Sequence, residues 1–516
     1  MQRLSPKIHH YLPLLLLILV CMVMLITVFT QANDYGITMD EPLQDAYGLS
    51  TLHWYTSLGK DTSFLDYPSG LYMPQHGAIF DTLVALVQQV KGDHWYIRVI
   101  MTALTGVIGV VTIALCGYEI GGWWLALLAA VGLWLYPRYT GAMWNNPKDI
   151  PFATSMIVVL WSVLLLMRYW QSKRYLWYCI FVGCCIGLAS SIRVVAVIWF
   201  AMLVLLAVGS WIVSGLQARH IGAGMVVVSV SILTMMLAWP YIFLNPFAHL
   251  YESIILMSRF PWNGTVFFDG HLYLATQLPH DYVPVWLLIG SPLTLIVCFF
   301  LGIAVAVCNG IKKRVVDAQF LVTLLVFLVP VFVLVMLHSV LYNALRQFLF
   351  LVPPMVLIAS YGVVETVRYL FMYRMKVVAG SMVVALLLSY TLVAIDMANL
   401  HPYEYTYFSP IVGGLSGASS RYETDYYNSC DKDAAQWLAS HYRDYPHTPQ
   451  PTVHSITYFE QLVTLYLPSN FHVDEHNSDF LITSGPVRSG YHTIYTVSRQ
   501  GVTICTVSAM SGDFKE

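Results

Sequence analysis

The chain has 516 residues, of which 58% are hydrophobic and only 10% are charged, and its mean hydropathy is +0.64. Soluble domains carry about a quarter charged residues, so this composition excludes an ordinary water-soluble protein and indicates an integral membrane protein. The formal net charge is −2. Because no basic run suits a polyanion, nucleic acid is excluded as a partner.

Apolar stretches of membrane-spanning length recur along the chain. A helix needs about 20 mostly apolar residues to cross a bilayer, and we identify eleven candidate spans. They start near residues 11, 98, 122, 152, 175, 194, 221, 284, 319, 348 and 377. The first, from Tyr11 to Thr30, is too long for a signal-peptide core and no small-residue cleavage site follows it, so we interpret it as a retained anchor.

The lysines and arginines between the spans indicate the orientation. With the N-terminus in the cytoplasm, twelve of these residues lie in six inner segments, and eight lie in the longer outer segments before residue 401. The inner segments are 1–10, 117–121, 168–174, 214–220, 309–318 and 367–376. Because basic residues favour the cytoplasmic side, the bias predicts a multi-pass protein of the plasma (inner) membrane with a cytoplasmic N-terminus and an extracytoplasmic C-terminal part.

The character of the sequence changes after the last span. Residues 1–399 form a predicted transmembrane domain in which residues 31–97 are a large first outer loop. Residues 400–516 are polar, and HTIYTVSRQGVTICTVSAM predicts a β-hairpin that turns near Arg499–Gly501. With a predicted helix at 432–442 and a predicted strand at 479–484, the fold class is an all-α polytopic membrane protein with a small C-terminal α/β domain on the outer face.

The cysteines fall into two groups. Seven of the nine lie in or beside the spans, where cysteine behaves as a small hydrophobic residue. Cys430 and Cys505 lie in the predicted outer domain. Two cysteines alone leave both a disulfide and two free thiols open.

Asp40 and Glu41 directly follow the first span, at the predicted outer face. A carboxylate at this position is a candidate general base that accepts the proton of a hydroxyl group. Alternatively, the two acids lie in a solvated loop, or at the start of an interfacial helix in which Asp40 is the N-cap and Pro42 an early residue. Both interpretations fit the sequence.

The stretch NNPKDIP, residues 145–151, is a dense polar group between two spans. Its two prolines interrupt helix and favour a turn. In a functional interpretation, Lys148 binds a phosphate and Asp149 orients a neighbouring group or binds a metal. In the alternative, Asp149 only caps the next helix.

Two arginines stand at the predicted outer ends of spans, where a charge is costly. Arg193 and Arg346 are therefore candidate ligands of a phosphate, to which arginine offers a two-pronged donor; the alternative is that they only extend to the membrane surface. His76 is a candidate orienting residue or metal ligand, although no spacing of Cys and His is typical of a zinc site. An ordinary loop role is its alternative.

Five stretches, in order between about residues 34 and 438, carry a resemblance to a known family. They are GITMDEPLQ, NNPKDIPFA, PWNGTVFFDGHLYLATQLPHDYVPVWLLI, NALRQFLFLVPP and HPYEYTYFSPIVGGLSGASSRYETDYY. The chain resembles GT-C superfamily membrane glycosyltransferases, and among them the bacterial protein O-mannosyltransferase-like (dolichyl-phosphate-mannose-protein mannosyltransferase-like) family. One departure is Gln347, where members often have histidine.

The resemblance implies a function for residues 1–399 as a catalytic domain. Such enzymes move a sugar, here mannose or another hexose or pentose, from a polyprenyl-phosphate carrier to an acceptor hydroxyl on the outer face, with inversion. The acceptor is a protein, a lipid or a glycan. The resemblance places Asp40 as the catalytic carboxylate with Glu41 beside it, and it places the cations of the previous paragraphs near the carrier phosphate. Some GT-C members bind a divalent cation and mannosyltransferase-like members need not, so a cation is a candidate cofactor only.

Two other functions are alternatives to the enzyme. A transporter or flippase of lipid-linked sugars predicts charged residues and broken, repeated helices near the middle of the membrane. A non-catalytic membrane scaffold predicts no dependence on Asp40. The charged residues lie at the outer ends of the spans instead, which favours a membrane glycosyltransferase.

Overall fold

The computed structural model describes residues 6–68, 70–90, 92–215, 218–313, 317–445, 447–456, 461–476 and 478–511. Within these residues, eight helices are long and apolar enough to cross a membrane. They are Tyr11–Gln31, His94–Gly121, Asp149–Arg168, Arg219–Ala238, Leu293–Lys312, Ala318–Met336, Arg346–Met372 and Lys376–Leu400. The predicted fold class, a helical multi-pass membrane protein with a small C-terminal domain, is confirmed.

The remaining helices are shorter. They are Glu41–Thr56, Ile79–Gln88, Trp123–Trp134, Pro137–Ala142, Tyr175–Ser190, Ile198–Ser214, Pro240–Leu244, Pro246–Ser258, Tyr282–Ile289, Gly414–Ala418, Asp431–His441 and Gln461–Thr464. Three of them correspond to predicted spans, at residues 123, 175 and 198. Trp123–Trp134 has 12 residues, which extend about 18 Å against a hydrocarbon core of about 30 Å.

The span predicted to start near residue 284 begins later. The chain first forms the short helix Tyr282–Ile289, which ends at Gly290, and the long helix starts at Leu293. Pro292 lies between them and cannot donate the backbone hydrogen bond that would continue the first helix. The apolar run is continuous in sequence, but the helix is not.

The helix Val352–Met372 is the centre of the helical domain, because its first thirteen residues are all buried. It packs closely on Leu293–Lys313 where Gly302 faces Gly362, and a Cβ atom at either glycine would clash with the other helix. Small residues allow such close packing between membrane helices. The helices Tyr11–Gln31 and Lys376–Leu400 lie at the periphery of the helical domain, and most of their residues are not buried in the protein.

The C-terminal domain contains a five-stranded sheet. In spatial order its strands are His472–Val473, Thr452–Ser455, Phe480–Thr483, Val502–Met510 and Tyr491–Arg499. The first two pairings are parallel and the last two are antiparallel. The predicted hairpin is confirmed, since Gln500 and Gly501 turn the chain with φ of 47° and 77°, and so are the helix and the strand predicted beside it.

The segment 402–430 fixes the C-terminal domain to the end of the helical domain. The backbone N–H of Ser409 donates to the carbonyl of Ile289 at 2.7 Å. The buried guanidinium of Arg138 donates to the carbonyl of Tyr407 at 2.9 Å and lies 4.7 Å from the ring of Phe408. These contacts join residues more than one hundred positions apart, so the segment after the last span is part of the surface of the helical domain.

Cys430 and Cys505 are bonded, with their Cα atoms 6.3 Å apart. The bond joins the start of the helix Asp431–His441 to the strand Val502–Met510. It closes a loop of 75 positions, and cross-links of that size restrict the unfolded chain by about 4 kcal/mol in the entropic account.

Replacing Cys430 and Cys505 by serine should lower the free energy of unfolding of the C-terminal domain by about 2–5 kcal/mol. Thermal unfolding of the purified protein, with and without reductant, measures this loss. The exposed Cys308 provides the control, since Cys308→Ser should leave the transition unchanged. Alkylation of Cys430 in the folded, unreduced protein would contradict the bond.

Candidate active site

Asp40 lies at the start of the helix Glu41–Thr56 and occupies its N-cap position, with Pro42 in the first turn. Its side chain makes no capping hydrogen bond within the described part of the chain. Instead, the carboxylate pairs with the guanidinium of Arg346 and is about 35% exposed. Asp40 therefore occupies the predicted N-cap position, but its side chain does not cap the helix. The carboxylate instead forms an ion pair and is partly exposed to solvent.

Asp149 is buried at the start of the helix Asp149–Arg168 and contacts two arginines. Its Oδ2 lies 2.9 Å from Nε of Arg346, and its Oδ1 lies 2.5 Å from Nη2 of Arg193. Together with the Asp40–Arg346 pair, this makes a continuous series of contacts, which we call the ion chain: Asp40, Arg346, Asp149 and Arg193. Two carboxylates and two guanidinium groups balance in charge, which reduces the cost of burying them.

The backbone turn before Arg346 positions this member of the ion chain. Before Arg346, Asn343 and Ala344 have φ of 58° and 61°, and this turn places the arginine at the start of the 3-10 helix Arg346–Leu351. Such backbone conformations are costly outside glycine and concentrate at functional sites. Gln347, the departure from the family pattern, accepts the backbone N–H of Tyr342 at 3.3 Å and so supports the same turn.

The turn before Asp149 is held by Asn146. The side-chain oxygen of Asn146 accepts the backbone N–H of Asp149 at 2.8 Å and that of Lys148 at 3.3 Å, and its Nδ2 donates to Oδ2 of Asp149 at 2.9 Å. Side chains of asparagine commonly order turns in this way. Asn146 thereby fixes both the position and the orientation of the Asp149 carboxylate.

Lys148 and His76 adjoin Arg193, and the positive charge in this part of the site comes from Arg193 and Lys148. Burial and the nearby charge of Arg193 lower the pKa of Lys148 to about 7. Burial, together with the charges of Lys148 and Arg193, holds the pKa of His76 well below its usual value, so this histidine is neutral at physiological pH. The segment that carries His76 comes close to the segment that carries Arg193 because Gly77 packs directly on the carbonyl of Ser191. A Cβ atom at residue 77 would clash there.

Glu41 makes contacts that differ from those of its neighbour Asp40. Its buried carboxylate accepts the backbone N–H of Thr38 at 2.6 Å and lies 3.9 Å from Nε of Arg98. Arg98 also pairs with Asp81 at 2.5 Å and with Asp45 at 3.7 Å. We call Glu41, Asp45, Asp81 and Arg98 the acidic cluster; it anchors the helix that begins beside Asp40 to two neighbouring helices.

The acidic cluster holds three carboxylates and one arginine. Burial raises the pKa of Glu41 to about 7 and that of Asp81 to about 6. The charge of Arg98 opposes both shifts but does not cancel them. Burial thus favours the neutral form of these two carboxyl groups.

Tyr427 is part of the site although it lies 280 positions beyond the NNPKDIP stretch. Its hydroxyl accepts from Nδ2 of Asn146 at 2.5 Å, and its ring centroid lies 5.3 Å from the guanidinium carbon of Arg346. The residue is 2% exposed. Tyr427 ends the last of the five stretches that resemble the family, but sequence analysis gave it no role because the sequence does not show that this stretch folds against the end of the helical domain.

The described residues contain no group of three or more His, Cys, Asp and Glu side chains placed to hold a metal ion. A divalent cation between Asp40 and Asp149 would have to displace the guanidinium of Arg346, which already contacts both carboxylates. His76 is instead surrounded by cations. The residues as arranged do not fit the candidate cation, and no step below uses one.

Comparison with solved structures identifies the fold. No family model and no curated protein matches the sequence. ArnT from Cupriavidus metallidurans, bound to undecaprenyl phosphate, is 12% identical with a TM-score of 0.52, over 95% of this chain and 97% of that one. The archaeal oligosaccharyltransferase AglB from Archaeoglobus fulgidus, in complex with an inhibitory peptide and a dolichol-phosphate, is 13% identical with a TM-score of 0.53, over 92% of this chain and 70% of that one.

ArnT and AglB are GT-C membrane glycosyltransferases. At such low identity the likeness concerns the fold, and it extends over nearly the whole chain, including the C-terminal domain. The predicted resemblance to the GT-C superfamily is confirmed at this level. The chain therefore has the GT-C fold, with the ion chain at one end of its membrane helices.

Replacing Arg98 by glutamine should destabilise the protein strongly, because three carboxylates of the acidic cluster would lose the guanidinium that lies close to all of them. Removing one partner of a buried ion pair typically costs about 3–5 kcal/mol. Thermal unfolding in detergent measures the effect. Arg421→Gln is the matched control, since Arg421 pairs with Asp269 at the surface and should shift the transition little. Equal shifts for the two variants would contradict a structural role for the cluster.

Proposed function

We propose that this protein is an inverting glycosyltransferase that moves a sugar from a polyprenyl-phosphate carrier to an acceptor hydroxyl at the outer membrane face. The observation that carries the proposal is the juxtaposition of a partly exposed carboxylate, Asp40, with the cations Arg346, Arg193 and Lys148 at one end of a GT-C fold. Such a site offers a base for the acceptor and a pocket of positive charge for the leaving phosphate.

The proposed reaction is a single displacement. The acceptor oxygen forms a bond to the anomeric carbon while the bond from that carbon to the phosphate oxygen breaks, and the electron pair leaves with the phosphate. Asp40 accepts the proton of the acceptor hydroxyl. Attack from the face opposite the leaving group inverts the anomeric carbon, as in inverting glycoside hydrolysis.

The cations stabilise the charge that develops on the leaving phosphate. Within the ion chain the formal charges cancel, so Lys148 supplies the surplus positive charge. Burial and the charge of Arg193 lower the pKa of Lys148 to about 7, so the charged form of this lysine is disfavoured. A bound phosphate therefore favours protonation of Lys148, because an adjacent anion stabilises the charged form.

The sugar, the acceptor and the location remain part of the proposal. Mannose, or another hexose or pentose, fits the family resemblance, and the acceptor is a protein, a lipid or a glycan. The orientation, with a cytoplasmic N-terminus and an extracytoplasmic C-terminal domain in the plasma (inner) membrane, is supported by the basic bias of the inner segments. The Cys430–Cys505 bond supports it as well, since disulfides persist in oxidising compartments.

Replacing Asp40 by asparagine should lower sugar transfer by about 100-fold or more, because general-base catalysis typically contributes factors of 10²–10⁴. In a deletion strain, mass spectrometry of lipid extracts should show accumulation of a polyprenyl-phosphate sugar. The wild-type gene should restore the lipid profile, whereas Asp40→Asn should not, at equal protein level in the membrane. Asp269→Asn, at a surface ion pair, is the matched control. Full complementation by Asp40→Asn would refute Asp40 as the base.

The affinity for undecaprenyl phosphate should fall as pH rises above about 7, because Lys148 then loses its proton in the free protein. Binding raises the pKa of Lys148, so each pH unit above 7 should weaken binding by up to about tenfold until the higher value is reached. Native mass spectrometry or fluorescence titration between pH 6 and 8.5 measures this.

Lys148→Arg is the control for this pH dependence, since arginine stays charged throughout the range. The ratio of the two affinities removes the titration of the lipid phosphate itself, which is common to both proteins. A ratio that does not change with pH would show that Lys148 does not hold the phosphate.

A further inference from the structure

We propose that Tyr427 is a positioning residue for Arg346, so that the segment after the last span completes the catalytic site. The inference rests on the proposed function and adds a residue that acts through the arginine. It follows from the contacts of Tyr427 on both sides, one toward the ion chain and one toward the C-terminal domain.

Toward the ion chain, Tyr427 makes two different contacts. Its ring faces the guanidinium of Arg346, with 5.3 Å from the guanidinium carbon to the ring centroid. Its hydroxyl accepts from Nδ2 of Asn146 at 2.5 Å, the same nitrogen that donates to Asp149. One buried side chain thus touches the arginine and also the asparagine that orients its carboxylate partner.

The ring is suited to holding a guanidinium that must remain available for anions. Stacking on an aromatic face uses none of the N–H donors of arginine, which all lie in the plane of the group. Nε and Nη2 of Arg346 contact Asp149 and Asp40. A hydrogen-bonding partner in place of the ring would occupy a donor that the proposed phosphate needs.

Toward the C-terminal domain, Tyr427 is held by its own segment. Oδ1 of the Asp425 carboxylate accepts the backbone N–H of Tyr427 at 3.1 Å and that of Asn428 at 3.0 Å. The same oxygen accepts the hydroxyl of Tyr405 at 2.6 Å. Three residues further on, Cys430 is bonded to Cys505 in the sheet. The position of the ring is therefore set by the C-terminal domain and not by the membrane helices alone.

The same segment also supports the turn that precedes Arg346. Glu423 accepts the backbone N–H of Phe267 at 3.3 Å, and the backbone N–H of Ala344 favours its charged form as well. Ala344 has a φ of 61° and lies two residues before Arg346. The segment 423–427 thus contacts the arginine at its guanidinium and at the backbone turn that carries it.

A double-mutant cycle on full-length protein, with undecaprenyl phosphate as the probe, tests whether Tyr427 acts through Arg346. Dissociation constants are measured for the wild type, Tyr427→Leu, Arg346→Gln and the double variant. We expect Tyr427→Leu to weaken binding by about tenfold in the wild-type background and by less than twofold in the Arg346→Gln background. Tyr427→Phe, which keeps the ring, should weaken it by less than about threefold and covers the case in which the leucine variant does not fold.

Tyr403 provides a matched control in the C-terminal domain. It is buried, its hydroxyl donates to Asp433 at 2.7 Å, and its ring lies 4.8 Å from the guanidinium carbon of Arg499. Tyr403→Leu therefore removes the same two kinds of contact away from the ion chain. It should lower the thermal transition temperature without changing the affinity for undecaprenyl phosphate.

The outcomes separate this inference from the proposed function. If the wild type does not bind undecaprenyl phosphate, the proposed function fails. If the wild type binds and Tyr427→Leu binds equally well, the positioning role is refuted while the proposed function stands. An equal loss for Tyr427→Leu in both backgrounds, or an equal loss for Tyr403→Leu, also refutes it, because either result indicates a general structural effect.

Discussion

The arrangement of this protein depends on one guanidinium group that two carboxylates share. Arg346 contacts Asp40 on one side and Asp149 on the other, and Arg193 balances the second oxygen of Asp149. Burying a charge at the end of a membrane helix is costly unless a partner of opposite sign is close. Because each member of the ion chain pairs with a neighbour of opposite charge, elements that are distant in sequence must meet where these four residues lie.

The fold brings the ion-chain residues together because they stand at the starts of helices. Asp40 and Asp149 stand at helix starts, where exposed backbone N–H groups favour negative charge. Arg346 precedes the most deeply buried helix, whose glycine contact at residues 302 and 362 fixes it against a neighbour. A side chain at the end of a rigid helix varies little in position, which suits a site that must align two reacting groups.

The sequence singles out most of the residues that the structure brings together, because polar residues beside apolar spans are unusual and the basic bias predicts that they share one face. Lys148, Arg193 and Arg346 indeed lie near one another. The sequence does not show that Asp40 is partly exposed and that Glu41 is buried. Neighbouring side chains at a helix start point in different directions, and only packing decides which one is buried. Tyr427 was missed because its contacts cross 280 positions, and the late start at Leu293 was missed because hydropathy does not register the break at Gly290–Pro292.

Two groups of charges adjoin the start of the helix Glu41–Thr56, and their net formal charges differ. The acidic cluster surrounds Arg98 with three carboxylates, so its net formal charge is negative and disfavours an anion. The ion chain is neutral as a set, and Lys148 beside it adds a positive charge that burial disfavours. In the proposed reaction, the second group therefore holds the phosphate. Asp40 belongs to that group through Arg346 and stays partly exposed, so the proposed reaction brings an acceptor hydroxyl and an anionic leaving group to the same guanidinium.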